Sequence, residues 1–69
     1  MRLKVDLKSD ALYFRISEDK IEDSEEIKPG IIVDYAKSGK VVGIEMLGLK
    51  RRFSLAELSN IQVDLPTRA

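Results

Sequence analysis

The sequence predicts an α+β domain: a five-stranded antiparallel β-meander with one short C-terminal helix packed on its apolar face. Three observations carry that expectation. Apolar residues recur with period two through the first 17 residues and again from Ile31 to Met46. Turn-forming clusters ("KSDA", "PG", "KSG") punctuate those runs. A capping-box spacing opens the one stretch with a short helical stripe.

The first two strands are expected at 2–7 and 11–17. Leu3, Val5 and Leu7 alternate with Arg2, Lys4 and Asp6, and Leu12, Phe14 and Ile16 alternate with Ala11, Tyr13 and Arg15. A four-residue loop, Lys8 to Ala11, pairs Leu7 with Leu12, Val5 with Phe14 and Leu3 with Ile16. All six then share one face, whereas an odd loop would put half of them in water. A third strand is expected at 24–28, after a loop rich in carboxylates; residues 18–28 hold six of the 12 acids, with Ile21 and Ile27 as apolar anchors. Pro29-Gly30 follows as a type II turn signal, since proline presets φ and glycine supplies φ > 0.

The fourth and fifth strands, 31–36 and 40–47, form a second hairpin. A loop of two residues (Ser38-Gly39) or four (Ala36 to Gly39) brings Ile31, Val33, Tyr35, Val42, Ile44 and Met46 to one face. Gly39 serves the turn; Gly43 marks a bulge or a place where something packs close to the sheet. Ser54 and Glu57 then cap a helix near 54–61, with Leu55, Leu58 and Ile61 as its stripe and Phe53 placed to staple on Leu58. So short a helix must dock to persist. "IQVDLP" is extended, and Pro66 closes the ordered chain.

Sixty-nine residues make a single domain, 1–69. A chain of this size buries only about 60% of the surface its unfolded form exposes. It contains no cysteine, hence neither disulfide nor thiolate metal site, and no histidine, which removes the commonest general base near neutral pH and histidine metal ligands. Its 12 basic and 12 acidic residues balance, so no long-range field draws nucleic acid or anionic lipid. With neither a signal-peptide core nor an apolar run of membrane length, the expectation is a soluble cytoplasmic protein with no cofactor and no metal.

Four groups are candidates for chemistry, each with a plainer structural reading. Asp34 and Glu45 share a face by parity, but diagonally or farther apart, as an outward polar surface requires. Tyr13 and Arg15, on the polar face of the second strand, have the residue types that stack on bases; cross-strand packing is the preferred reading. Lys50, Arg51 and Arg52 form the basic cluster before the predicted helix, where phosphate can meet backbone N–H groups. The acids at 18–26 lack the spacing of a Ca²⁺ loop and read as a solvated loop with edge protection. Lys50, Arg51, Arg52, Tyr13 and Arg15 are therefore the expected contacts to a partner or phosphate.

The pieces "SDALYFRIS" and "SEEIKPGIIVDYAKSGKVVGIEML", in that order, resemble a widespread prokaryotic family of small proteins catalogued as domain of unknown function 2283. Asp10, Ala11, Leu12 and Tyr13 match its first motif, and Glu26, Pro29 and Gly30 its acidic turn. Val33, Asp34 and Tyr35, then Val42, Gly43, Ile44 and Glu45, match the strands that follow. The resemblance covers residues 3–47; Phe14 stands for an aliphatic residue and Lys8-Ser9 for a proline-containing turn. The helical tail, 53–63, lies beyond it. It implies a small β-meander without established activity, so no catalytic residue is carried over. For members encoded beside small ribonuclease-like toxins it implies an antitoxin role.

Twelve apolar strand residues on one face exceed what one short helix covers. The expectation is a non-enzymatic interaction module, a homodimer or the partner of another small protein encoded nearby; the alternative is an antitoxin-like partner of a small ribonuclease-type toxin, with weak DNA contact through Lys50, Arg51 and Arg52. Nucleic acid is not the expected partner, nor is a membrane.

Overall fold

The computed structural model describes residues 1–67. Five strands, β1 (Arg2–Asp6), β2 (Ala11–Arg15), β3 (Asp23–Lys28), β4 (Ile31–Tyr35) and β5 (Val41–Leu47), form one antiparallel sheet. Two single-turn helices follow, α1 (Leu49–Arg52) and α2 (Leu55–Leu58). The α+β class, the strand positions and the antiparallel pairing agree with the sequence reading; the order across the sheet does not.

That order is β1-β2-β5-β4-β3, so the strands do not run as a simple meander. Hydrophobicity sorts them. β3, "DSEEIK", is exposed at every residue and takes an edge, where its unshared backbone groups and carboxylates face water. β5, "VVGIEML", holds two fully or nearly fully buried positions and takes the centre, between β2 and β4. Parity assigns a strand's face but says nothing about its neighbour, which is why the meander expectation failed.

Register makes the faces explicit. One face carries the cross-strand rows Leu3–Phe14–Ile44–Val33–Glu25 and Val5–Leu12–Met46–Ile31–Lys28. The other carries Lys4–Tyr13–Glu45–Ile32–Glu26 and Arg2–Arg15–Gly43–Asp34–Ser24. Leu12, Phe14, Val33 and Ile44 thus lie on one side, as predicted. The first hairpin is shifted by two residues from the expected pairing: Val5 faces Leu12 and Leu3 faces Phe14, around a Leu7–Asp10 turn. An even shift leaves every side chain on its face.

The second hairpin has a bulge that alternation did not reveal. Val33 pairs with Ile44, but Tyr35 pairs with Val41, leaving Val42 as the extra residue. Val42 is fully buried, and its carbonyl accepts from both Ile16 N–H (2.7 Å) and Ser17 N–H (3.1 Å). The bulge absorbs an odd turn and restores the register that keeps the apolar face intact.

The helical region also departs from expectation. "LKRR" is itself a helix, α1, and its Leu49 is fully buried. α2 starts at the predicted capping box, with Ser54 Oγ accepting from Glu57 N–H and Glu57 Oε1 accepting from Ser54 N–H, but it stops at Leu58. None of its residues is buried, and Leu55 is 61% exposed, so α2 does not close the apolar face. Four residues present no stripe wide enough to cover a sheet.

Candidate functional site

On the polar face, Tyr13 Oη donates to Asp34 Oδ2 (2.9 Å) and Ser24 Oγ donates to Asp34 Oδ1 (2.6 Å). Tyr13 sits on β2 and Asp34 on β4, so the phenol must cross β5. It does so over Gly43, where a Cβ would collide with Tyr13 Oη. Burial, and then the Asp34 carboxylate beside it, push the Tyr13 pKa upward, with Arg15 pulling the other way. Arg15 turns its guanidinium onto its own chain, donating to Ser17 O (2.6 Å) and Asp19 O (2.9 Å). Asp34 and Glu45 do share this face, one row apart, but both Asp34 oxygens are engaged by Tyr13 and Ser24. Among the described residues no group of three or more carboxylates converges as a metal site would require.

At the end of the sheet that holds the Leu7–Asp10 turn, a second cluster ties α1 down. Asp10, in the left-handed region at φ 57°, accepts from Gly48 N–H (2.9 Å) and Leu49 N–H (3.2 Å) at its carbonyl. Its Oδ1 accepts from Lys50 N–H (2.8 Å). The helix N-terminus considered for phosphate, that of α2, is capped by its own Ser54–Glu57 box, and the N-terminus of α1 is capped by Asp10, from 40 residues away. Arg52 donates to Leu47 O (2.7 Å) and Pro29 O (3.0 Å), and lies where a Cβ on Gly30 would sit. Gly30, at φ 78°, gives its N–H to Glu26 Oε2 (3.0 Å). Arg51 folds over Gly48, which has φ 70°. Tyr13 and Arg15 line one depression with Arg2 and Lys4; Arg51 and Arg52 line another with Pro29. The structure does not unite the expected contact residues in one site. The cap that Asp10 supplies and the seating of Arg52 against Gly30 were not legible, because each depends on a partner brought close only by the assembled sheet; the positive φ of Gly30 was legible in Pro29-Gly30.

What remains is the apolar face. Val33, Val42 and Leu49 are the buried hydrophobic residues, whereas Leu3, Leu7, Phe53 and Ile61 are more than a third exposed. The molecule is flat, with extents of 37 × 37 × 18 Å and a radius of gyration of 13.7 Å. A compact domain of this length has a radius of about 11 Å. A compact monomer of this mass exposes roughly 4,400 Å², whereas this chain exposes 5615 Å². The excess, roughly 1,200 Å², is larger than the ~800 Å² each partner buries in a standard protein interface. No helix among the described residues is long and apolar enough to cross a membrane.

No curated protein and no solved structure matches the chain. A family model described as "Protein of unknown function (DUF2283)" matches residues 2–50, from β1 through the start of α1. It covers all five strands and Asp10, Tyr13, Gly30, Asp34 and Gly43, whose contacts hold the sheet and α1 together, and the chain belongs to that family of proteins of unknown function.

Proposed function

We propose that this chain is a non-enzymatic association module whose apolar sheet face is closed by a second copy, giving a symmetric homodimer. The observation that carries this reading is the excess of exposed surface on a flat sheet whose apolar face α2 does not close. A two-fold pair presents the same rows to each other, so one self-complementary surface suffices. The absence of histidine and cysteine, and the saturation of Asp34 by Tyr13 and Ser24, support a role without catalysis.

Sedimentation equilibrium tests it. The wild type is expected at twice 7.8 kDa in the tens-of-micromolar range. Phe14→Lys, which places a charge in the middle of the Leu3–Phe14–Ile44 row, is expected to sediment as a monomer with its β-sheet circular dichroism retained. A wild-type monomer throughout that range overturns the reading.

A further inference from the structure

The apolar face is guarded on one side of the sheet and open on the other. At β3 its rows end in the charged residues Glu25 and Lys28; at β1 they end in Leu3 and Val5. The free edge of β1 therefore continues the apolar surface, while Arg2 and Lys4 stand on the opposite face of that same edge. Natural sheets place charges or a covering element at such an edge.

One segment carries the complementary pattern. Ile61, Val63 and Leu65 alternate strictly with Asn60, Gln62 and Asp64, the period of a half-buried strand. Yet 61–66 has no regular structure, and among the described residues none of its backbone groups has a hydrogen-bond partner. Val63 and Leu65 are 80% and 82% exposed. Val63, Met1, Leu3 and Phe14 surround a gap of about 430 Å³, so the segment passes over β1 and β2 without closing on them. That gap has room for more than one apolar side chain, and among the described residues nothing fills it.

We infer that residues 61–65 become a sixth strand in the dimer, added to the free edge of β1 of the second copy, which returns its own segment in exchange. This rests on the homodimer reading above and specifies what completes it. In such a strand Ile61, Val63 and Leu65 extend the rows that end in Leu3 and Val5. Gln62 and Asp64 then fall on the polar face beside Arg2 and Lys4, where the charges are opposite. The other free edge, β3, carries Asp23, Glu25 and Glu26 and repels Asp64. Pro66, which has no N–H, ends the strand. Adding a strand to an open edge satisfies backbone groups on both sides, and reciprocal exchange of an element is a low-cost route to a dimer.

Amide hydrogen exchange on the full chain, above and below the midpoint of association, tests this alongside sedimentation. Residues 61–65 and the outward amides of β1 are expected to gain protection together as the dimer forms. Val63→Pro, which removes a ladder donor, is expected to abolish that protection and weaken association by about tenfold, while Val63→Thr leaves it near wild type. A wild-type dimer with 61–65 unprotected, and an unchanged dissociation constant for Val63→Pro, overturns the strand exchange and leaves the face-to-face dimer standing. Protection of 61–65 that does not vary with concentration also overturns it, since the segment then pairs within its own chain. A wild type that never dimerises removes both proposals at once.

Discussion

Gly43 governs the polar face at the scale of single residues. It lies in the central strand between Arg15 and Asp34, and its missing side chain is the space through which Tyr13 reaches Asp34. Gly43→Ala is expected to cost about 1–3 kcal/mol in denaturant unfolding, because the phenol must leave its position and Asp34 loses a donor. In a Tyr13→Ala background the same substitution is expected to cost well under half as much, since only the Phe14 carbonyl, 3.2 Å from the added carbon, remains crowded. Equal costs in the two backgrounds would show that Tyr13 is not what Gly43 accommodates. Alternation alone put Asp34 and Glu45 on one face and Tyr13 with them, and that reading held. The Tyr13–Asp34 bond was out of reach, because it spans two strands separated by a third whose place follows from the whole sheet.

Elements were legible in proportion to how local their determinants are. The capping box of α2 lies within four residues, so Ser54 and Glu57 announced the helix start correctly. α1 has four residues, no apolar period and no acceptor of its own; its cap is Asp10, in the first hairpin. Both hairpins kept their apolar face: in the first a two-residue slip preserves parity, and in the second the one-residue bulge at Val42 offsets the odd turn. Asp10 is the test of long-range capping. Asp10→Ala loses the side-chain acceptor and strains a left-handed backbone, and is expected to destabilise by about 1–2 kcal/mol. Asp10→Asn, which keeps an acceptor and tolerates φ > 0, is expected to lose less than half of that. Thermal melts of both variants at one fixed protein concentration make the comparison. An Asn variant as unstable as the Ala variant would mean that the carboxylate charge, rather than the cap geometry, matters.

At the scale of the whole molecule, thinness is the leading fact. Among the described residues three hydrophobic side chains are buried, Val33 and Val42 in the sheet and Leu49 in α1, so the fold has little core of its own, and the proposed dimer would make stability a function of concentration. Each tenfold rise in protein concentration is expected to raise Tm by about 5 °C, from the per-residue unfolding entropy of a domain this size. A Tm that stays flat over a hundredfold range in scanning calorimetry identifies a molecule that melts as a monomer. The strand order has a further consequence, for the route by which the chain reaches its fold. The β1–β2 and β3–β4 ribbons each close through a short turn, but β5 alone joins them. Contacts of low sequence separation form early and the joining step is the slow, nonlocal one. Until residue 47 has emerged during synthesis, β2 and β4 stand as bare interior edges, the stage at which a growing chain is most prone to pair with its neighbours.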